Sequence, residues 1–154
     1  MSTSQSDEKT RVLFVCVHNS ARSQMAEAFL NRMAGDRFES ESAGFEPEPL
    51  NPLAIEVMKE AGIDISAKQA KSVFGLYKEG RLYDYVITVC EESRAERCPI
   101  FPGRVTRLDW PFQNPAALTG NHEERLAKTR EIRDQIRKRV EEFVGQHARS
   151  RTGR

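Results

Sequence analysis

The apolar residues of the chain form short continuous runs and helical stripes that alternate along the sequence. Short, mostly apolar runs are typical of buried parallel strands, whereas apolar positions three and four residues apart are typical of helices that cover a sheet. Their alternation predicts an α/β fold, with a parallel sheet and helices on both of its faces. The first candidate strand is the apolar stretch that runs from Arg11 into Cys16, and the other three are residues 37–43, 85–90 and 104–110.

Three segments have the pattern of helices. One begins near Arg22, directly after the first strand and a short polar loop. The second has clear ends, because Asn51 is a preferred N-cap, Pro52 suits the first turn and Gly62 stops the apolar stripe. The third spans residues 122–146 and places its apolar side chains on one stripe, which predicts that it packs on the sheet.

Length, charge and cysteine content limit the classes of function. The chain has 154 residues, the size of one domain, which we place at residues 10–147 between a polar tail at 1–9 and a basic tail at 148–154. The net charge of +1 does not indicate binding to nucleic acid or to a membrane surface, and the apolar runs are too short to span a bilayer. We therefore expect a cytoplasmic protein. In such a reducing compartment, its three cysteines are more typical of catalysis or metal binding than of structural cross-links.

The loop between the first strand and the first helix has the features of an oxyanion site with a nucleophile. Cys16 ends the strand, and Arg22 lies six residues later at the start of the helix. The intervening amide N–H groups can surround a tetrahedral anion, the Arg22 guanidinium can bond two of its oxygens, and the helix N-terminus favours a Cys16 thiolate. Ser23 is placed to donate a hydrogen bond to that thiolate. The His18 imidazole could tune the thiol, and the alternative is that His18 is an ordinary solvated histidine. The predicted anion-binding residues are His18, Asn19, Ser20, Ala21, Arg22 and Ser23.

Motifs along nearly the whole chain resemble the low-molecular-weight tyrosine phosphatase family, in the version found in thioredoxin-coupled arsenate reductases. The resemblance implies a single three-layer domain with a four-stranded parallel sheet flanked by helices. It also implies the reduction of arsenate, or a similar tetrahedral oxyanion, to arsenite, with no tightly bound cofactor. The motifs are CVHNSARSQMAEAF at residues 16–29, ESAG at 41–44, NPLAIEVMKEAGIDIS at 51–66, VITVC at 86–90, CPIFPG at 98–103 and DWPFQNPA at 109–116.

Cys90 and Cys98 distinguish a reductase from a phosphatase, which needs the loop cysteine alone. By the resemblance, Cys16 attacks arsenic, Cys90 then attacks Cys16, and Cys98 attacks Cys90 before an external reductant restores the thiols. Thioredoxin is the expected electron donor and glutaredoxin the alternative. A helix over the intervening residues would hold Cys90 and Cys98 roughly 12 Å apart, beyond the limit of about 7 Å for a disulfide, so this segment must unwind.

Each of the two distal cysteines also has a structural interpretation. Cys90 could simply end a core strand, and Cys98 could simply precede a turn that contains proline. A zinc site is less well supported, because the two cysteines lack the close pair spacing of zinc ligands and no histidine stands near them in sequence. We therefore expect no metal at these positions.

The chain departs from the family pattern at two places. Asn114 stands where relatives generally carry the aspartate that protonates the leaving oxygen, and an amide cannot supply that proton. Asp109 is a candidate substitute for this acid. The alternative for Asn114 is a turn-forming role. Asn19, Glu27 and Ser42 resemble ligands of a monovalent cation in some relatives. The matching downstream carboxylate is replaced by Lys71, so either the Lys71 ammonium pairs with Glu27 in place of that cation, or Lys71 is a solvated surface charge.

Three classes of function therefore remain open. The first is an arsenate reductase, the second is a low-molecular-weight phosphatase acting on phosphotyrosine or small phosphoesters, and the third is a non-catalytic phospho-binding regulator. Asn114 and the two distal cysteines favour the first over the second. Full cellular function of a Cys16→Ser protein without detectable turnover would favour the third.

Overall fold

The computed structural model of the protein describes residues 9–91 and 98–152. Its first two strands are each followed by a helix as the apolar pattern predicts, a second helix precedes the third strand, and a 3₁₀ turn at Pro115–Ala117 precedes the last helix. The elements, in chain order, are β1 (Thr10–Cys16), α1 (Arg22–Ala34), β2 (Phe38–Gly44), α2 (Pro52–Glu60), α3 (Val73–Lys78), β3 (Tyr85–Cys90), β4 (Thr106–Phe112) and α4 (His122–Thr152).

The four strands form one parallel sheet in the order β2-β1-β3-β4, which confirms the predicted four-stranded α/β architecture. In β1, the consecutive residues Val12 to Cys16 are all buried, so both faces of this central strand are covered. β4 begins two residues later than predicted, because a turn at Gly103, with φ of 90°, delays pairing with β3 until Thr106. Pro111 lies at an irregularity of this edge strand, where a missing N–H is tolerated.

The register of the strands assigns side chains to the two faces of the sheet. Phe143 of α4 packs against Tyr85 and Trp110, and Trp110 packs against Phe14, so these rings mark the face covered by α4. Because side chains alternate along a strand, Cys90 lies on the face opposite Tyr85. Helix α1 shares the α4 face and packs against α4.

The ends of two helices test the predicted boundaries. Asn51 caps α2 as expected, because its side chain accepts a hydrogen bond from the backbone N–H of Leu53. Helix α4, in contrast, continues to Thr152 rather than ending at 146, so the segment 148–152 that was predicted as tail belongs to a helix. The domain boundary proposed at residue 147 therefore falls inside α4. Within the described ranges, none of the helices has the length and apolar character that crossing a membrane requires.

Candidate functional site

Hydrogen bonds to its carbonyl groups hold the loop between β1 and α1 in place. A neighbouring segment, residues 45–51, donates backbone hydrogen bonds to four of them. In a trans peptide, the N–H of the next residue points away from the carbonyl, so these bonds turn the corresponding loop N–H groups toward the space that the loop encloses. An arrangement of this kind suits the binding of an anion by main-chain amides, and we refer to it as the cradle. The bonded carbonyls belong to Cys16, Val17, His18 and Ser20.

Gly44, at the end of β2, allows this close approach. A Cβ atom at position 44 would lie 2.8 Å from the Asn19 nitrogen, 2.8 Å from the Val17 oxygen and 2.9 Å from the His18 carbonyl carbon. All three are backbone atoms, so no side-chain rotation could relieve the contact. A residue without a side chain is therefore required for the loop to close on β2. The ESAG motif contained this signal, although the sequence alone did not reveal what the glycine contacts.

The buried side chain of Asn19 stabilises the loop through hydrogen bonds. Its φ of 53° is the only positive value at a non-glycine residue in the part of the chain that the structure describes, and its side chain is fully buried. The side-chain oxygen accepts hydrogen bonds from the Lys71 backbone N–H at 2.9 Å and from Gln24 at 3.2 Å, and the side-chain amide donates to Ser23 Oγ at 2.7 Å. The asparagine thus ties the loop to α1 and to the segment before α3, which offsets the cost of its backbone conformation.

Arg22 and Ser23 begin α1 with their side chains buried. A nitrogen of the Arg22 guanidinium donates to the Phe112 carbonyl at 3.0 Å, so the end of β4 fixes the arginine beside the loop. Ser23 Oγ accepts from Asn19, which leaves its own proton to donate. Ala21 is the N-cap of α1 and provides no side-chain hydrogen bond to the amides of the first helical turn. These amides suit an anion.

His18 points away from the cradle. Its Nδ1 donates to the Glu46 carbonyl at 2.9 Å and lies 3.4 Å from a Glu48 carboxylate oxygen. The imidazole therefore anchors the loop to the 45–51 segment, and the Ser20 carbonyl does so by accepting a hydrogen bond from the Asn51 N–H. Among the predicted anion-binding residues, these two contribute main-chain rather than side-chain groups to the arrangement.

None of the three cysteines takes part in a disulfide, and all are buried. Cys16 and Cys90 end the neighbouring strands β1 and β3, so both lie at the carboxyl edge of the sheet, where parallel α/β sheets bind their ligands. Burial raises the pKa of the Cys98 thiol, and the positive charge of Arg107 opposes that rise. The segment that was predicted to unwind lies, over residues 92–97, outside the described part of the chain.

Comparison with known proteins places this site in a family. The model of the low molecular weight phosphotyrosine protein phosphatases matches residues 11–152. The chain is also 39% identical to the arsenate reductase of Bacillus subtilis over 137 residues, which are 89% of this chain and 96% of that protein. The chain belongs to the low molecular weight phosphotyrosine protein phosphatase family.

Solved structures place the chain close to the arsenate reductases of this phosphatase family. An arsenate reductase in an oxidized state superposes with a TM-score of 0.74 at 30% identity, covering 89% of this chain and 98% of that one. The thioredoxin-dependent arsenate reductase of Corynebacterium glutamicum gives a TM-score of 0.71 at 35% identity, covering 92% of this chain and 63% of that one. The fold expected from the resemblance is therefore confirmed.

Asn114, which stands where the resemblance implied an aspartate acid, forms a turn in the structure. The Asn114 side chain accepts a hydrogen bond from the Ala116 N–H at 3.0 Å and caps the 3₁₀ turn, which is the turn-forming role. Asp109 accepts a hydrogen bond from the Thr88 hydroxyl at 2.7 Å. Its carboxylate is thus engaged with the middle of β3, and its role as substitute acid stays a prediction.

Replacement of Asn114 by aspartate is expected to increase phosphatase activity. Aspartate is as good a cap as asparagine, so the turn is kept while a carboxylic acid is restored. General acid catalysis contributes about 10²- to 10⁴-fold, and we expect a gain toward the lower end of that range in kcat for phenyl phosphate, whose leaving group needs a proton. The gain should be smaller for p-nitrophenyl phosphate. Asn121→Asp at the cap of α4 is the matched control. An equal change in kcat for phenyl phosphate in both variants would contradict this role of position 114.

Glu27 and Ser42, which resemble ligands of a monovalent cation, lie beside a lysine ammonium, but not that of the predicted lysine. Glu27 is buried, accepts a hydrogen bond from the Ser42 hydroxyl at 2.6 Å and pairs with the Lys68 ammonium at 2.6 Å. Lys71, which was predicted to pair with Glu27, instead supplies its backbone N–H to Asn19. Of the two alternatives for Lys71, the pairing with Glu27 is therefore wrong, because Lys68 takes that place. Since an ammonium already neutralises Glu27, these residues do not fit an additional potassium ion.

Removal of the Lys68 side chain should show whether Glu27 depends on this lysine as its countercharge. Lys68→Ala leaves the buried Glu27 without its countercharge, and we expect a loss of about 1–2 kcal/mol of unfolding free energy, because the lysine is itself partly exposed. Turnover of the parent should be the same in potassium and in choline buffers, whereas the variant should gain from potassium. Lys71→Ala is the control and should behave like the parent. Potassium stimulation of the parent would show that Lys68 does not replace the ion.

Proposed function

We propose that the protein is an arsenate reductase that works through Cys16, Cys90 and Cys98 in succession. The observation that carries this proposal is the position of two thiols at the ends of adjacent strands, one of them beginning an amide-lined loop that closes on Arg22. The curated relatives of similar length are named arsenate reductases. A thiol relay operates in a reducing compartment, so we place its action in the cytoplasm.

In the first step, arsenate binds to the loop N–H groups and to Arg22. The Cys16 thiolate, supported by the Ser23 hydroxyl and the N-terminus of α1, attacks arsenic and an oxygen leaves as water, which gives a Cys16–arsenic(V) adduct. The fixed amides and the guanidinium stabilise charge that develops on the arsenate oxygens. Because Asn114 cannot donate a proton, the leaving oxygen takes its proton from the bound arsenate or from water.

In the second step, Cys90 resolves the adduct. Its thiolate attacks the Cys16 sulfur, the electron pair of the sulfur–arsenic bond passes to arsenic, and arsenite leaves as the Cys16–Cys90 disulfide forms. Alternation along the strands places Cys16 on the α1 and α4 face and Cys90 on the other. The Cys90 sulfur therefore has to pass over the carboxyl edge of the sheet, which requires the chain after β3 to rearrange.

In the third step, the Cys98 thiolate attacks Cys90 and releases Cys16 for a new cycle. An external dithiol then reduces the Cys90–Cys98 disulfide, and we propose thioredoxin as that dithiol because one structural relative is thioredoxin-dependent. Glutaredoxin is the alternative donor. The protein itself requires no tightly bound cofactor in this scheme, since both electrons pass through thiols.

A coupled assay tests the proposal directly. NADPH oxidation is followed with thioredoxin and thioredoxin reductase, with and without arsenate, for the parent and for Cys16→Ser. Arsenate-dependent oxidation by the parent alone supports the reductase. If the parent ignores arsenate but hydrolyses an aryl phosphate through Cys16, the protein is a phosphatase. If neither reaction occurs although phosphate binds, it is a phospho-binding regulator.

A further inference from the structure

One carbonyl of the loop between β1 and α1 is held by a side chain rather than by the main chain. Backbone N–H groups of the 45–51 segment hold four of the loop carbonyls, and the Met25 N–H of α1 holds that of Ala21. The Asn19 carbonyl instead accepts a hydrogen bond from the Gln24 side-chain amide at 3.2 Å. Since the other donors are backbone groups, Gln24 supplies the bond in this series that a change of side chain can remove.

The neighbours of the Gln24 amide identify which of its atoms faces the loop. Its nitrogen lies 3.2 Å from three oxygens, which are the Asn19 carbonyl, the Asn19 side-chain oxygen and the Gln69 carbonyl. Carbonyl oxygens only accept hydrogen bonds, and the Asn19 side-chain oxygen already accepts one from the Lys71 N–H. The group that faces these oxygens is therefore the donating NH₂ group of Gln24.

Burial leaves the oxygen of the Gln24 side chain without a partner. The residue is 1% exposed, and within the described part of the chain this oxygen accepts no hydrogen bond. A buried acceptor without a partner is unfavourable, and an apolar side chain of similar size, such as that of methionine, would avoid the cost. The presence of glutamine here is therefore accounted for by what its NH₂ group holds.

The bond from Gln24 fixes the direction of the Ser20 N–H. The described chain contains no cis peptide, so the Asn19 carbonyl and the Ser20 N–H point in opposite directions. Because the carbonyl is held toward α1, the Ser20 N–H is turned toward the space that the loop encloses. Asn19 has a φ of 53°, and a left-handed residue within a loop is a feature of main-chain concavities that bind anions.

We propose that Gln24 is a positioning residue for the oxyanion: its NH₂ group holds the Asn19 carbonyl outward and thereby keeps the Ser20 N–H directed at the bound anion. Gln24 acts through this peptide and not on the reacting atoms. The inference deepens the proposed function and rests on it, since the anion is arsenate in that reaction. The further bond to the Gln69 carbonyl joins the loop to the segment that carries Lys68.

Binding of inorganic phosphate tests the role of Gln24. Gln24→Met keeps the size of the side chain and removes its donors, so we expect the Kd for phosphate in calorimetric titration to rise about tenfold, the lower end of what a hydrogen bond to a charged group contributes. In proton–nitrogen spectra, the Ser20 amide of the parent should shift when phosphate binds, and the variant should lose this shift. The His18 amide, whose peptide is held by the 45–51 segment, should keep its shift in both proteins.

Asn31→Leu is the matched control for the loss of a buried amide. Asn31 lies seven positions after Gln24 on the same helix, and its side chain also donates to a backbone carbonyl. Its hydrogen bonds go to Ser40 on β2 rather than to the loop. We therefore expect this variant to lose stability in thermal unfolding while its phosphate affinity equals that of the parent.

A measurement on the parent keeps the role testable if Gln24→Met does not fold. The side-chain NH₂ protons of Gln24 should exchange with solvent more slowly than those of the exposed Gln146. They should also shift when phosphate binds, because the anion polarises the peptide that joins Asn19 to Ser20 and strengthens the bond to its carbonyl. Phosphate binding that leaves these signals unchanged would contradict the coupling between Gln24 and the anion.

Two results with the variants would overturn the role of Gln24: a phosphate affinity of Gln24→Met equal to that of the parent, or an equal loss of affinity in Asn31→Leu. Failure of the proposed function has a separate signature. The parent would bind phosphate in a way that depends on Gln24, but the fully reduced protein would release no arsenite when it is mixed with arsenate.

Discussion

Serine at position 90 is expected to stop the reaction before arsenite is released. In the Cys90→Ser protein, Cys16 can still attack arsenate, but no thiol follows it on the neighbouring strand to take up the oxidised sulfur. We expect steady-state turnover to fall by roughly 10³-fold or more, as when a member of a reacting group is removed. Cys98→Ser should differ, because it can complete one cycle and should release one arsenite per protein molecule before it stops as the Cys16–Cys90 disulfide.

Rapid mixing of each reduced variant with arsenate, followed by acid quench and determination of arsenite, separates these outcomes. Mass spectrometry of the alkylated protein identifies which disulfide has formed. Burial raises the pKa of the Cys98 thiol, so the transfer from Cys90 to Cys98 should accelerate as pH rises. Arsenite release from Cys90→Ser at the parental rate would show that Cys90 is a structural residue of β3 and that the relay is wrong.

The sequence predicted those parts of the site that depend on neighbouring residues along the chain. A strand that ends in Cys16, a loop of turn-forming residues and a helix that starts at Arg22 are local features, and the structure has all three. The same holds for Tyr85–Cys90, whose apolar run matches β3 residue for residue. The start of β4 and the end of α4 were less predictable. The turn at Gly103 shifts the start of β4. Helix α4 continues through polar residues to Thr152, beyond the end of its apolar stripe.

Contacts between distant segments could not be predicted in this way. Lys68 and Lys71 stand three residues apart with the same charge, and only the path of the chain before α3 decides that Lys68 reaches Glu27. The Arg22 contact with the Phe112 carbonyl joins residues ninety positions apart. A carbonyl acceptor so far away along the chain leaves no periodic pattern in the sequence from which it could be predicted.

Alanine at position 44 is expected to disable the anion loop while the active-site side chains stay unchanged. The added methyl group would meet backbone atoms of Asn19, Val17 and His18 at 2.8 to 2.9 Å, so the 45–51 segment and the loop have to separate. That separation breaks the hydrogen bonds that turn the loop N–H groups inward, and we expect phosphate and arsenate affinity to fall about 10²-fold. Overpacking of this kind also costs about 1–3 kcal/mol of stability. Calorimetric titration with inorganic phosphate and thermal unfolding measure the two effects.

Gly75→Ala is the matched control for this prediction. A Cβ at position 75 would meet only the Ser72 Cβ, at 3.7 Å, and alanine favours the helical conformation of α3. Its stability should therefore equal or exceed that of the parent, with unchanged phosphate affinity. If Gly44→Ala also bound phosphate normally, the cradle would not depend on the contact between β2 and the loop, and the oxyanion would have to be held mainly by Arg22 and the first turn of α1. The two variants thus distinguish a site built from main-chain amides from one built on a single guanidinium.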